Sequence, residues 1–355
     1  MDVTAPLLVS ADPLLVADVH RLCAAAGVVP EVVRDPTHAI RLWASAPVVL
    51  VGSDVATALA GASPPRRQRV HVLGRSPVGD TMFRDALGVG AETVAGLPAS
   101  ETWLVELLTD VGDGGAAPGV TIGVIGGSGG AGATIFAAAM AQMAADSGRT
   151  LLVDADPIGA GVDRVLGLEN SDGIRWDSML QTTGRLSSRS LREALPRTGQ
   201  LSVLTWPTDR PASLQAFAMR EVLSAGRRGF DAVIVDLPRH RDAVVDETIS
   251  RCDHVVLVST LTVPGVTAAA RVAHRLPGAT PTRHLVTRGN RAGVAPEAVS
   301  RLLRIPLVAT MGDQRGLDEA INLGAGPARS RRGILARAAR SVSAQLLQQG
   351  AVDAA

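Results

Sequence analysis

The sequence predicts an α/β protein with two parallel-sheet domains. Short apolar strands alternate with helical stretches along the chain of 355 residues, an order typical of right-handed βα crossovers. The strands beyond residue 120 are continuous apolar runs, which indicates a sheet covered on both faces. A glycine-rich stretch at 112–119 separates the two series. We therefore expect domains at 1–111 and 120–349, joined by that linker and followed by a tail at 350–355.

The first domain is predicted to contain short apolar strands bounded by glycine, proline or polar residues. These strands are Leu7–Ser10, Val32–Val33, Val48–Val51, Val70–Leu73 and Glu92–Ala95. Helices with apolar residues at helical spacing are predicted at Leu14–Ala25, Pro36–Ala44, Thr81–Leu87 and Ser100–Val111. Repeated strand–helix units of this kind predict one parallel sheet.

This order of elements resembles the receiver domain of response regulators, a flavodoxin-like fold. A working receiver needs an acceptor aspartate, an acidic pair for Mg²⁺ and a lysine. The acidic-pair positions hold Ser10 and Ala11, the lysine position holds Leu97, and the acceptor position falls near Gly52 with Asp54 just beyond. Because a phosphoryl group without metal ligands or a cation is poorly stabilised, we expect a degenerate receiver that serves as a packing or partner surface. Phosphorylation of Asp54 is the alternative.

The second domain is predicted to repeat the same alternation. Its strands are Val120–Ile125, Thr150–Asp154, Leu201–Thr205, Ala232–Asp236, His254–Ser259 and His284–Thr287. Its predicted helices include Gly132–Asp146, Pro211–Ala225 and Val263–Arg275.

A glycine-rich turn follows the first strand of the second domain. The turn and the start of the next helix comprise Gly127, Ser128, Gly129, Gly130, Ala131, Gly132, Ala133, Thr134 and Ile135. Glycine lets the backbone approach a ligand closely, and the amides of a helix N-terminus favour an anion. This turn holds more glycines than a tight turn requires, so it predicts a phosphate site.

One interpretation of the turn is a dinucleotide fingerprint. Gly127, Gly129 and Gly132 have the required spacing, and Asp154 ends the next strand. Short-chain dehydrogenases begin in this way, but their catalytic pair is tyrosine and lysine. The sequence contains no tyrosine and no lysine, which excludes that chemistry and leaves a nicotinamide-dinucleotide binder as an alternative.

The other interpretation is a P-loop. The segment resembles the deviant Walker A motif of the MinD/ParA superfamily, and its two lysine positions hold Ser128 and Ala133. The resemblance implies a P-loop NTPase-like parallel-sheet domain that binds ATP or ADP with Mg²⁺. Thr134, Asp156 and Asp236 would hold the metal through water, and Asp156 and Asp154 would act in any hydrolysis.

The missing lysines set the expected activity. In this superfamily they act as cations on the phosphates, and losing one such stabiliser commonly costs about 10²–10³ in rate. We therefore expect weak or absent ATP hydrolysis, with binding retained by the backbone amides. An arginine would have to substitute, and the candidates are Arg239, Arg241 and Arg149. The asparagine that contacts adenine in the superfamily is replaced by Thr287, with Asn290 three residues on.

A receiver-like domain in front of such a P-loop domain is the layout of CpaE-like proteins. The segments at 173–176 and 184–186 are most similar to the actinobacterial septum-site-determining (Ssd-type) branch. The resemblance implies a regulator of septum placement and cell division, a homodimer with divisome partners. A localisation or assembly ATPase of a Flp/Tad pilus or secretion system is the alternative, with secretion or pilus proteins as partners.

Composition limits the classes of partner and the cellular location that we expect. A net charge of +1 with few aromatic residues argues against a nucleic-acid partner, and two cysteines suit a reducing cytosol. No basic leader and no apolar run of membrane-spanning length is found, so we expect a cytoplasmic protein. The stretch Ile334–Gln349 has helical apolar spacing with arginines. It is predicted as a core helix, and peripheral contact with the inner face of the membrane is the alternative.

Overall fold

The computed structural model describes residues 5–76, 78–112, 119–179, 186–207, 214–276, 281–289 and 293–353. The chain divides into two units, Met1–Ala116 and Ala117–Ala355. Residues 113–118 of the predicted linker lie outside the described residues.

Within its described residues, the first unit is one parallel sheet with helices between the strands. The strands are β1 (Leu7–Val9), β2 (Glu31–Val33), β3 (Val49–Gly52), β4 (Val70–Arg75) and β5 (Thr93–Leu97). The helices are α1 (Pro13–Ala25), α2 (Pro36–Trp43), α3 (Ser53–Gly61), α4 (Asp80–Val89) and α5 (Glu101–Gly112). The strand order is β2-β1-β3-β4-β5, with every neighbouring pair parallel.

Local sequence explains where these helices begin. Asp12 and Asp35 cap α1 and α2 by accepting hydrogen bonds from Leu14 and His38 backbone amides, and a proline follows each cap. Helix α3 was not predicted. It is short and rich in alanine, so few large apolar residues mark its buried side.

The second unit is built around a longer sheet. Its described strands are β6 (Val120–Gly126), β7 (Thr150–Asp154), β8 (Arg197–Thr198), β9 (Leu201–Leu204), β10 (Ala232–Leu237), β11 (His254–Thr260), β12 (Thr282–Arg288) and β13 (Leu307–Met311). Its helices are α6 (Ala133–Ala144), α7 (Val162–Leu166), α8 (Trp176–Met179), α9 (Ser188–Ala194), α10 (Ala216–Gly229), α11 (Ala243–Ser250), α12 (Val263–Arg275), α13 (Pro296–Leu303), α14 (Leu317–Asn322) and α15 (Ile334–Asp353).

The strand order is β13-β12-β11-β6-β10-β7-β9-β8. Only the short β8 is antiparallel to its neighbour among these described strands, and β6 lies in the interior of the sheet. The predicted strands are present, and β8 and β13 are additional. Helix α10 begins at Ala216, not at Pro211, which lies outside the described residues. Helix α15 continues to Asp353, so the predicted tail at 350–355 is helical as far as that residue.

The core of the second unit explains the alanine-rich sequence of α6. Ala137, Ala138 and Ala141 are fully buried, and their small side chains allow α15 to pack closely. Val342 and Leu346 of α15 belong to the same buried cluster. The last helix is therefore part of the core, as predicted. None of the described helices has the length and apolar character needed to cross a bilayer.

Candidate functional site

The glycine-rich turn joins β6 to α6 at the carboxyl edge of the sheet. Gly127 donates its amide to the Val258 carbonyl at 2.8 Å, and a Cβ at Gly127 would lie 2.6 Å from the Cβ of Ala269. Only glycine allows this approach to α12. Gly130 and Gly132 have φ angles of +69° and +91°, a conformation that other residues adopt only with strain.

The turn leaves the start of α6 without a side-chain cap. Gly132 is the N-cap, and no side chain caps the helix. Ser128 to Gly130 are partly or fully exposed, and Ala133, Thr134 and Ile135 are half-buried. Uncapped first-turn amides carry partial positive charge at the helix N-terminus, which suits a phosphate group.

Two buried aspartates lie beside the turn because their strands are neighbours. Asp154 ends β7, and Asp236 lies opposite it in β10. Asp154 accepts hydrogen bonds from the Thr205 hydroxyl at 2.8 Å, the Asp156 amide at 3.1 Å and the Val162 amide at 3.2 Å. Its carboxylate is 1% exposed, too deep to serve as the ribose acceptor of a dinucleotide site.

Both carboxyl groups have raised pKa values. Burial raises the pKa of Asp154 to about 6. Burial, followed by the charge of Asp154, raises the pKa of Asp236 to about 7, and a hydrogen bond from the Thr134 side chain opposes that rise. Buried carboxyls with raised pKa values beside a glycine-rich turn are typical of functional sites.

The predicted magnesium residues meet here. The Thr134 side chain bonds Asp236, while half-buried Asp156 accepts the Ile158 amide at 3.2 Å. These hydroxyl and carboxylate oxygens are the hard donors that Mg²⁺ prefers, usually with water and phosphate completing the shell. Among the described residues no group of three or more His, Cys, Asp or Glu side chains is placed to hold a metal ion.

The three arginines proposed from sequence have different surroundings. Arg239 follows β10, and its Nη2 lies 3.6 Å from the position that a Cβ of Gly129 would take. Arg241 instead bonds Asp246 and the Arg275 carbonyl. Arg149 precedes β7 at the opposite edge of the sheet, where its amide bonds Asp231. Only Arg239 of the three lies against the turn.

A fourth arginine, Arg288, was missed by the sequence analysis. It is the last residue of β12, and its Nη1 donates to the Gly130 carbonyl at 3.1 Å. The signal was available, since ligands bind at the carboxyl ends of parallel strands, but no motif marked this strand. Arg288 also borders a cavity of about 330 Å³ beside the turn, lined by residues of α6, β13, α14 and α15.

Other residues singled out from sequence have structural roles. The Thr287 hydroxyl pairs with Thr310 at 2.9 Å in the sheet. Trp176 is fully buried, and its indole donates to the Asp154 carbonyl at 2.7 Å, which supports the acidic strand. Asn290, Gly184 and Arg185 lie outside the described residues.

The aspartate of the first unit is engaged by its own neighbours. Asp54 accepts the amides of Ala11 at 2.7 Å and Asp12 at 3.0 Å, and the Ser10 hydroxyl at 2.9 Å. Leu97, at the lysine position, is 2% exposed in the core. The Asp54 carboxylate thus accepts hydrogen bonds from the residues that lead into α1. Ser10 and Ala11, at the acidic-pair positions, carry no carboxylate.

Comparison with known proteins covers both units. A family model described as "Rv3660c-like, CheY-like N-terminal domain" matches residues 9–119. The Mycobacterium tuberculosis H37Rv protein "Uncharacterized protein Rv3660c" is 37% identical over 347 residues, covering 96% of this chain and 97% of that protein.

Solved structures resemble the second unit. The septum site-determining protein MinD from Pyrococcus horikoshii, complexed with Mg-ADP, matches with a TM-score of 0.56 and 16% identity, covering 66% of this chain and 98% of that one. A ParA family ATPase from Chlorobium tepidum matches with a TM-score of 0.56 and 13% identity, covering 64% of this chain and 99% of that one. The predicted receiver-like and MinD/ParA-like folds are confirmed.

Proposed function

This chain belongs to the family of the mycobacterial protein Rv3660c, and from that premise we propose that it is a regulatory protein that binds ATP or ADP with Mg²⁺ and hydrolyses ATP weakly or not at all. The observation that carries the proposal is the turn at 127–135. It places the uncapped start of α6 beside the Thr134–Asp236 pair, in a chain that contains no lysine.

Each part of the turn has a role in this proposal. The phosphates are bound by amides between Ser128 and Ile135, because oriented amides on a fixed backbone stabilise anions without reorganising. The amides of Gly127 and Ala131 are excluded, since they donate to the Val258 and Ser128 carbonyls. Thr134 and Asp236, with Asp156 at the adjacent loop, hold Mg²⁺ directly or through water. When bound, the metal supplies positive charge next to the raised-pKa carboxyls, and this returns Asp236 and Asp154 to their ionised forms.

Slow hydrolysis follows from the charges at the turn. Ser128 and Ala133 stand at the two lysine positions, so no ammonium group stabilises the transferring phosphoryl group. Asp156 is the residue that would orient the attacking water in any residual turnover, and buried Asp154 would act through it, since Asp154 accepts the Asp156 amide at 3.1 Å. The bound nucleotide then acts mainly as a structural ligand that changes which surfaces the protein presents.

For the cellular role we propose septum-site determination and cell division, through a homodimer that binds divisome proteins in the cytoplasm. The MinD fold of the second unit supports this role. A CpaE-like assembly role in a Flp/Tad pilus or secretion system uses the same nucleotide chemistry with other partners. Co-purification of partners from a native host separates these two roles, because the first predicts divisome proteins as partners and the second predicts secretion or pilus proteins.

Calorimetric titration of the full chain with Mg·ATP tests the nucleotide proposal. We expect saturable binding, and we expect Thr134→Val to weaken binding of Mg·ATP more than binding of ATP in EDTA. Thr267→Val is the matched control, because Thr267 is exposed on α12. Absence of heat at millimolar Mg·ATP contradicts the proposal. Binding of a nicotinamide dinucleotide that ATP does not displace would favour the dinucleotide alternative.

A further inference from the structure

Arg288 lies against the glycine-rich turn although it belongs to a distant part of the sequence. Its Nη1 donates to the Gly130 carbonyl at 3.1 Å. The same nitrogen is 3.1 Å from the position that a Cβ at Gly132 would take, so a larger residue at Gly132 would require the guanidinium to shift by a few tenths of an ångström. The positive charge of Arg288 is therefore held at the segment where α6 begins.

Asp313 holds the other side of this guanidinium. Arg288 Nε and Nη2 each lie 2.9 Å from one oxygen of the Asp313 carboxylate. The Asp313 side chain is 74% exposed and that of Arg288 is 34% exposed. An ion pair in such contact with water is weak, so a more highly charged anion can replace the carboxylate. Phosphate is such an anion, and arginine binds it through two parallel N–H groups.

Arg288 borders both the glycine-rich turn and a cavity beside it. The cavity has a volume of about 330 Å³, and its walls include Gly132, Ile135, Arg288, Asp313, Leu317 and Leu335. This volume falls within the range of small-molecule sites. A ligand with phosphates on the amides of α6 and its remaining body in the cavity has to pass Arg288.

We propose that Arg288 supplies the positive charge for the phosphates of a nucleotide at the glycine-rich turn, and that Asp313 occupies this arginine when no nucleotide is bound. The inference rests on the proposed nucleotide binding and extends it. It accounts for phosphate binding without lysine, because the cation comes from the end of β12 instead of the turn. Binding then exchanges the Arg288–Asp313 contact for an Arg288–phosphate contact.

Binding of three probes to the full chain separates a charge role from a shape role. The probes are Mg·ATP, inorganic pyrophosphate and adenosine, each titrated by calorimetry. We expect Arg288→Ala to weaken binding of ATP and pyrophosphate about 10- to 100-fold and to leave any adenosine binding unchanged. Arg288→Lys should restore part of the loss, since it keeps the charge but not the planar fork. Arg251→Ala is the matched control, because Arg251 pairs with Glu247 within its own helical segment.

The Asp313→Asn variant tests the exchange itself. Asn keeps the shape of Asp313 but releases Arg288, so we expect ATP to bind about 3- to 10-fold more tightly. In the Arg288→Ala background the same change should give no gain, and this double-mutant cycle isolates the coupling between the two side chains. Thermal unfolding of each variant verifies the fold, and Arg288→Gln replaces Arg288→Ala if the alanine variant does not fold.

The outcomes distinguish this inference from the proposed function. If the unsubstituted chain binds neither ATP nor pyrophosphate, both are wrong. If it binds ATP and the Arg288 variants bind it equally well, only the role of Arg288 is wrong. A loss of adenosine binding as large as the loss of ATP binding overturns the charge role. A gain from Asp313→Asn that persists without Arg288 shows that Asp313 acts by repulsion alone, which overturns the exchange.

Discussion

Asp236 is a residue whose burial at the candidate site lowers the stability of the fold. Its side chain is 3% exposed, and Asp154 lies opposite it on the next strand. A buried carboxylate next to a second one is unfavourable, which is why the pKa of Asp236 is raised to about 7. The fold retains an arrangement that a metal and a phosphate-bearing ligand would relieve, a common compromise between stability and function.

This cost predicts that Asp236→Asn stabilises the chain in the absence of Mg²⁺ and nucleotide. The pKa rises from 3.8 to about 7 on folding, so the penalty is absent at low pH and grows as the pH rises through that interval. At pH 8 we expect the Tm of the variant to be about 2–6 °C above that of the unsubstituted chain. At pH 5 the difference should be less than half as large, and it should vanish as the pH falls below 3.8.

Thermal unfolding followed by circular dichroism across this pH range measures the effect. Asp246→Asn is the matched control, because Asp246 is half exposed and pairs with Arg241. A lower Tm for Asp236→Asn, or a difference that does not change with pH, would contradict the explanation. Excess Mg·ATP should reverse the order, because the unsubstituted chain gains a metal ligand that the variant lacks.

At the scale of elements, the start of α1 depends on a residue from the start of α3. Asp54 accepts hydrogen bonds from the backbone amides of Ala11 and Asp12. Without this carboxylate, the two amides of the loop after β1 would have to bond to water. We expect Asp54→Ala to destabilise this loop and α1 by about 1–2 kcal/mol. Hydrogen exchange of the peptides covering α1 should become faster.

Asp80→Ala provides the comparison for Asp54→Ala. Asp80 lies exposed in the first turn of α4, where a carboxylate contributes only a few tenths of a kcal/mol through the helix dipole. Equal exchange rates in the two variants would show that Asp54 has no special role in the first unit, and would leave its carboxylate available for other chemistry.

The last helix gives a second prediction at this scale. Leu346 of α15 is fully buried in the cluster that contains the alanines of α6. We expect Leu346→Ala to lower the free energy of unfolding by about 2–4 kcal/mol. Gln345→Ala, at the exposed neighbouring position, should change it by less than about 0.5 kcal/mol. Urea unfolding measures both, and a small effect of Leu346→Ala combined with loss of vesicle binding would instead favour a membrane-facing helix.

For the whole molecule, periodicity and glycine placement determined how much was predictable. The alternation of apolar strands and helices predicted both parallel sheets, because buried parallel strands are long apolar runs. Elements with weaker patterns were missed. The two-residue β8 and the partly exposed β13 lie at the edges of the sheet, where burial imposes less pattern on the sequence.

For the candidate site, too, the features with local sequence signals were the ones predicted. The turn and its acidic strands were predicted because glycine spacing and strand-end aspartates are local signals. The position of Arg288 at the end of a strand was a usable signal, but its contact with Gly130 was not predicted, since 158 residues separate the two in the sequence and only the sheet brings them together. The chain contains no lysine, so positive charge at the turn has to come from arginine, and among the described residues Arg239 and Arg288 lie against it.

Parallel measurement of nucleotide binding and phosphate release on one preparation of the full chain is the most direct test of the central claim. We expect Mg·ATP to bind with a stoichiometry near one per chain. We expect steady-state release of phosphate to be at least about 10²-fold slower than in lysine-containing relatives, as removal of one transition-state cation commonly causes. Turnover at the rate of those relatives, or no binding at millimolar nucleotide, would contradict the account.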